Sequence, residues 1–156
     1  MTLVDALRRR RLTVAFCESL TAGLAAATLA DTPGASAVLR GGLITYATDL
    51  KYSLAGVPEG ADPVTRETAA AMARGARERC GADWGVSLTG VAGPDAQNGH
   101  PVGEVWVGFA GPGSSDEQQL QLSGGRRAIR EQAVAAALAG LSDRVEQNAD
   151  AGRWDE

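Results

Sequence analysis

Short continuous apolar runs alternate along this chain with stretches whose apolar residues recur at helical spacing. Leu3 and Leu7, four apart and preceded by Thr2, predict a short amphipathic helix over 2–10 with Thr2 as its N-cap. The run at 12–17, with a valine and a phenylalanine, reads as a buried strand. An alanine-rich segment over 24–29 then reads as a helix, closed by the Pro33-Gly34 turn. A second strand is expected at 42–46, leading into Ala47–Lys51. Pro63 marks the approach to a helix over 65–79 that stops before Gly81. A third strand at 84–89 opens into a loop that runs from Gly90 to Pro101. Strands at 102–110 and 118–123 are joined by a glycine- and serine-rich turn at 111–115, as in a hairpin. A helix over 126–141 closes the pattern, with a polar and frayed tail expected over 143–156.

Five strands interleaved with helices, one late hairpin and no internal repeat predict a three-layer α/β domain with a mixed sheet. The 156 residues suit one domain, taken as 1–145 with a polar tail at 146–156. With 44% hydrophobic and 22% charged residues, a packed core is expected rather than disorder. No apolar run approaches the ~20 residues needed to cross a bilayer, and the arginine-rich start is not a secretory signal, so a cytoplasmic location is expected. Two cysteines and one histidine do not make a disulfide framework or a usual zinc site, and no metal is expected. A net charge of −4 disfavours broad binding to nucleic acid.

The basic residues are uneven. Of the 15, Lys51 is the sole lysine. Unlike arginine, lysine can release its proton and act as a base.

Ligands in open α/β sheets gather at the carboxyl ends of parallel strands, and three such ends carry polar sets here. The first holds Glu18-Ser19 ahead of a helix expected to start near Thr21. Ser19 there is either a nucleophile beside backbone oxyanion donors or, like Thr21, a helix cap. The second end carries Tyr46 and Lys51. The third carries Thr89-Gly90 and Gly93-Pro94, where glycine permits positive φ or close backbone approach to a ligand. The glycines form neither a Walker loop nor a dinucleotide fingerprint, and there is no GxSxG elbow. His100 has no evident tie to Ser19. If a serine nucleophile operates, Lys51 is the base on offer.

Glu18-Ser-Leu-Thr-Ala-Gly23, Pro33-Gly-Ala-Ser36, Gly41-Gly-Leu-Ile-Thr-Tyr46 through Lys51, Leu54-Ala-Gly-Val57, Thr89-Gly-Val-Ala-Gly-Pro94 and Pro101-Val-Gly103 occur in that order. Together, from about Leu3 to Leu141, they resemble the CinA C-terminal domain family, which includes stand-alone nicotinamide mononucleotide deamidases. The resemblance implies an α/β/α sandwich on a mainly parallel sheet, similar to anticodon-binding domains and usually assembled as a homo-oligomer. It implies hydrolysis of the carboxamide of nicotinamide mononucleotide by a serine–lysine mechanism, with no cofactor. Longer relatives carry an N-terminal molybdopterin-binding-like domain that this sequence does not include. Carried over by position, Ser19 matches the nucleophile, Lys51 its base and Tyr46 a residue that assists or orients the lysine. Glu18, Thr21, Gly23, Thr89, Gly90, Gly93 and Arg126 match substrate-binding positions, with Arg126 meeting the phosphate. The chain departs from the family pattern at Leu20, Ala22 and Gly125, and the Ala22 Cβ is expected to narrow the oxyanion site. A non-catalytic nucleotide sensor or assembly module is the alternative reading.

Overall fold

The computed structural model describes residues 1–152, with side chains described through residue 148. Its elements are α1 (Leu3–Arg9), β1 (Val14–Glu18), α2 (Leu24–Ala30), β2 (Leu39–Ile44), α3 (Thr48–Ala55), α4 (Arg66–Cys80), β3 (Trp84–Gly90), β4 (Glu104–Gly111), β5 (Ser114–Gln121) and α5 (Arg126–Gly152). The sheet order is β2-β1-β3-β4-β5. β1 pairs in parallel with both β2 and β3, whereas β3–β4 and β4–β5 are antiparallel. Four of the five strands therefore point the same way, and β4 alone opposes them.

Alternation along the strands divides the core into two layers. Val14 and Phe16 of β1, Trp84, Val86 and Leu88 of β3, and Val105, Val107 and Phe109 of β4 face α1, α2 and α5. Ala15 and Cys17 face the other way, against Ala55, Met72 and Ala76 of α3 and α4. The second layer is thin because its contacts are backbone-close. A Cβ on Gly85 would lie 2.0 Å from the Ala73 carbonyl oxygen, and one on Gly75 would lie 2.1 Å from that of Ala55. Glycine at these two places lets α4 press onto β3 and lets the end of α3 press onto α4.

Local chemistry explains most boundaries. Thr2 accepts from Asp5 N–H while the Asp5 carboxylate accepts from Thr2 N–H, a reciprocal cap that starts α1 as predicted. Arg8 and Arg9 fall in the last turn of α1, where cations suit the helix dipole. Thr65 accepts from Thr68 N–H to start α4, and Gly81 (φ 61°) ends it. The predicted turn at 111–115 tightens to Pro112-Gly113 between the paired Gly111 and Ser114.

Three expectations are corrected. Residues 47–51, read as a lead-out from β2, run into α3, which is closed by Gly56 at φ 77°. The sequence there has a weak apolar face, because Lys51 and Ala55 are the buried residues of α3, with Tyr52 half-buried beside them. The tail expected to fray from 143 instead continues α5 through Gly152, with Val145 fully buried against the first core layer; residues 153–156 of that predicted tail lie outside the described residues. Finally, α2 does not start near Thr21. It starts at Leu24 behind Gly23 (φ 99°), because residues 19–23 form a turn.

Candidate active site

The register of the parallel strands places the three polar ends side by side. Glu18 is opposite Ile44 on β2 and Leu88 on β3. Pairing runs one step further, with Thr45 N–H on Glu18 O and Ser19 N–H on Leu88 O, both at 2.9 Å. Ser19 thus leaves the sheet flanked by Thr45 and Thr89. From there the chain after β1 turns to α2 on one face, while the chain after β2 turns to α3 on the other. Adjacent parallel strands whose connections diverge to opposite faces leave a crevice between their carboxyl ends.

A cleft of about 410 Å³ opens there. Its walls include Ser19 and Leu20, Tyr46 and Lys51, Pro63 and Val64, Thr89 and Gly90, the 91–97 loop, and Arg126. Ser19, Tyr46, Lys51, Thr89, Gly90, Gly93 and Arg126, seven positions singled out in the sequence, all line it.

Lys51 is the least expected of these side chains, being only 2% exposed. Its ammonium donates to the Thr45 carbonyl at 2.7 Å and the Tyr46 carbonyl at 3.4 Å. Burial, which penalises the charged form, holds its pKa below the ordinary lysine range, and the nearby Cys17 only partly offsets this. The charge of a neighbouring arginine is not the cause. Arg40 donates to the Cys80 carbonyl, and Arg126 is engaged elsewhere. A neutral Lys51 has two N–H bonds for its two carbonyls and a lone pair left to accept a proton.

The Cys17 thiol lies one residue before the end of β1, fully buried and 3.5 Å from the Thr45 hydroxyl. Burial pushes its pKa up to about 11, so it stays a thiol and packs as a small core residue.

Arg126 opens α5 and donates to the Tyr46 hydroxyl and the Gly93 carbonyl, joining opposite walls of the cleft. Tyr46, 52% exposed, therefore contributes two groups: its carbonyl orients Lys51, and its phenol meets Arg126. The Thr89 hydroxyl, buried, donates to the Pro63 carbonyl and ties β3 to the approach of α4. Gly90 and Gly93 are required by packing. A Cβ on Gly90 would lie 2.5 Å from Glu104 O, and Gly93 combines φ 89° with a Val102 methyl 2.8 Å from where its Cβ would be.

Glu18, Thr21 and Gly23 do not line the cleft. Glu18 points to the opposite face from Lys51, and its buried carboxylate accepts from the N–H groups of Ala25 (2.7 Å) and Ala26 (3.1 Å). It caps α2 from outside the helix, a role the sequence reading gave to Ser19 or Thr21. Gly23 supplies the left-handed residue ahead of that helix. Thr21 is fully buried, and its carbonyl accepts from Arg130 and from Leu24 N–H. Ala22 is exposed at φ 50° and lies off the cleft, so its Cβ does not narrow it.

Sequence reading passed over Asp95, Gln97 and Thr48, which also line the cleft, and Arg130. It also missed the pairing of His100, whose ring nitrogens meet Asp62 (2.8 Å) and Glu104. The two carboxylates sit on opposite sides of the ring and do not converge. Arg130, four residues after Arg126 on α5, could have been found from that helical spacing.

A three-layer α/β domain with a serine at the end of β1 and a buried lysine on α3, the helix that follows the adjacent parallel strand, defines the structural class. The model of the CinA C-terminal domain family matches residues 1–145, and the chain belongs to that family. A CinA-like protein of Frankia casuarinae is 48% identical over 134 residues, 83% of this chain and 31% of that protein. A putative competence-damage inducible protein of Levilactobacillus brevis is 45% identical over 142 residues, 88% of this chain and 33% of its own length. The chain thus spans about a third of the length of these curated relatives. Among solved structures, the competence/damage inducible protein CihA of Agrobacterium tumefaciens is 33% identical with a TM-score of 0.81, covering 89% of this chain and 93% of that one. A CinA superfamily protein of Klebsiella pneumoniae is 27% identical with a TM-score of 0.89, covering 93% and 94%.

Proposed function

We propose that this chain is an amidohydrolase that releases ammonia from nicotinamide mononucleotide, giving nicotinic acid mononucleotide, with Ser19 as nucleophile and Lys51 as base. The observation that carries the reading is the sole lysine, buried on α3 and held below its ordinary pKa, lining the same cleft as Ser19 at the end of β1. A free lysine is neutral only about one part in 2,500 at pH 7, so a depressed pKa is what a lysine base needs. The family resemblance supplies the substrate; the site supplies the chemistry.

In this mechanism the Ser19 Oγ–H proton passes to neutral Lys51 as Oγ bonds to the carboxamide carbon. The oxyanion so formed is held by backbone N–H groups. Leu20, which lines the cleft, has an N–H with no acceptor among the described residues, whereas Ala22 N–H is committed to Ser19 O. The Lys51 ammonium returns its proton to the leaving nitrogen, the C–N bond breaks, and ammonia departs. Water then attacks the acyl-serine ester, giving its proton to Lys51, and the Ser19 oxygen leaves with that proton. Arg126 uses some of its five donors on Tyr46 and Gly93 and retains others for the substrate phosphate. The reading includes self-association, with Ile44, 54% exposed at the end of the edge strand β2, as an apolar surface on offer.

Purified protein is expected to release ammonia from nicotinamide mononucleotide, and Ser19→Ala to lose that release. Arg126→Ala is expected to raise KM about 10-fold or more for the mononucleotide and much less for the riboside, which lacks the phosphate. Binding of the mononucleotide without ammonia release would replace this reading with the sensor reading. Equal losses for both substrates would make Arg126 structural.

A further inference from the structure

The turn between β1 and α2 carries the candidate nucleophile and the candidate oxyanion donors, yet its residues 19–23 make no regular structure. Ala22 holds φ 50°, a left-handed conformation that costs a non-glycine residue about 1–2 kcal/mol. A turn with such strain needs outside support to stay in one arrangement. That support comes from the second turn of α5: Arg130 Nε donates to the Leu20 carbonyl at 2.8 Å, and its Nη2 donates to the Thr21 carbonyl at 3.2 Å.

We infer that Arg130 is a positioning residue: by fixing the Leu20–Thr21 peptide it holds the turn in which Leu20, a residue of the cleft wall, presents its N–H as an oxyanion donor. The inference rests on the hydrolase reading above. The carbonyl and N–H of one trans peptide point in opposite directions. Holding the Leu20 carbonyl against Arg130 therefore turns Thr21 N–H away from Arg130. In the preceding peptide, Ser19 O accepts from Ala22 N–H, which turns Leu20 N–H the opposite way. In the following one, Thr21 O is held by both Arg130 and Leu24 N–H. The carbonyls of Ser19, Leu20 and Thr21 are thus pinned, and of residues 19–23 Leu20, Thr21 and Gly23 have N–H groups without an acceptor among the described residues; of these three, Leu20 lines the cleft. The contacts to the Leu20 and Thr21 carbonyls from Arg130 come from a side chain, so they can be removed by substitution. Without Arg130 the Leu20–Thr21 peptide is free to rotate, and the adjoining Leu20 N–H loses its fixed direction where the developing negative charge needs a donor. Arg126 and Arg130 lie four apart on one face of α5, so a single helix start would address both the phosphate and the oxyanion turn.

The test compares the wild-type chain with Arg130→Met and Arg130→Lys. Kinetics are measured with nicotinamide mononucleotide, and amide hydrogen exchange is followed at Ala22 and Leu24. Arg130→Met is expected to lower kcat about 10- to 100-fold with KM within about 3-fold, since loss of one oxyanion donor acts on the transition state. Exchange at Ala22 and Leu24 should quicken while the rest of the sheet is unchanged, and Arg130→Lys should recover part of the lost kcat. Unchanged exchange at those amides overturns the inference, as does a raised KM with kcat kept. A kcat loss that tracks global melting in both variants also overturns it, leaving Arg130 a packing residue. If the wild-type protein releases no ammonia, the hydrolase reading fails, and quickened exchange in Arg130→Met still shows the clamp.

Discussion

Two buried residues, Lys51 on α3 and Cys17 near the end of β1, have opposite prospects for chemistry, and burial is the cause in both. Removing a charge from water disfavours the ionised form, which for lysine is the useless form of a base and for cysteine the useful form of a nucleophile. Lys51 is thereby moved towards activity and Cys17 away from it. The base must be neutral, so kcat/KM should rise with pH through a limb whose midpoint lies below the ordinary lysine value of about 10.4. A pH–rate profile checks this. Lys51→Arg keeps the charge but not the exchangeable proton, and should lower kcat by about 10²- to 10⁴-fold; near-normal turnover would remove Lys51 from the base role. For the thiols, Cys80 is partly exposed and Cys17 fully buried. A thiol reagent at neutral pH should add once to the folded protein, at Cys80, and a second time only after unfolding, as read by peptide mass spectrometry. The chemical identity of both residues was plain in the sequence, and Lys51 was already the base on offer there. Its burial was not legible, because burial depends on what α3 and α4 cover.

At the scale of the element, the segment from Glu18 to Gly23 shows why a motif can be found and its parts still misassigned. Its residues were marked together as contacts for a small molecule. In the fold only Ser19 and Leu20 line the cleft, and Glu18 faces the other side of the sheet as the cap of α2. The strand alternation of period two was sufficient to see this: Glu18 shares its face with Val14 and Phe16, whereas Cys17 points towards α3. Glu18→Ala leaves one buried and one half-buried helix N–H group without acceptors and should destabilise the protein by about 2–4 kcal/mol, shifting the melting temperature by several degrees. Differential scanning calorimetry checks that figure. An unchanged melting temperature with weaker substrate binding would return Glu18 to the role of a ligand contact. The helix α3 was missed for a related reason. A short helix with two buried residues has too little apolar periodicity to be read, although Gly56 was available as its stop.

Over the whole molecule, the cleft is closed by ties between distant segments: Arg126 to Tyr46 and Gly93, Thr89 to Pro63, and His100 to Asp62 and Glu104. The last responds to pH. The Asp62 carboxylate raises the His100 pKa, with Glu104 acting the same way against the cost of burial. Burial pushes the Asp62 pKa up, but Val64 N–H and His100 outweigh it and hold the carboxyl low. A histidine raised in the folded state contributes stability that is complete below its unfolded value of about 6.5 and is lost as pH rises through the folded value. A depressed carboxyl contributes above about pH 3.9 and is lost as pH falls through its own folded value. The melting-temperature gap between wild type and His100→Gln should therefore be widest between about pH 4.5 and 6.5 and should narrow as pH rises above that range. A gap independent of pH across 5–9 would show that the ring acts by packing alone. No helix among the described residues is long and apolar enough to cross a membrane.

The existence and order of the five strands, most helix starts, the three-layer class and the residues able to do chemistry were legible in the sequence, although β2 and β5 begin three and four residues earlier than expected. These follow from local quantities: side-chain period, capping groups, glycine and proline, and the scarcity of lysine. It took the packed fold to settle which of those residues share a cleft, that Lys51 is buried, that Glu18 turns its back on the site, and that Arg130 holds the turn beside Ser19. Each of these depends on register between strands and on which helix covers which face. Such contacts join residues as far apart as Leu20 and Arg130, a separation over which no local pattern carries information.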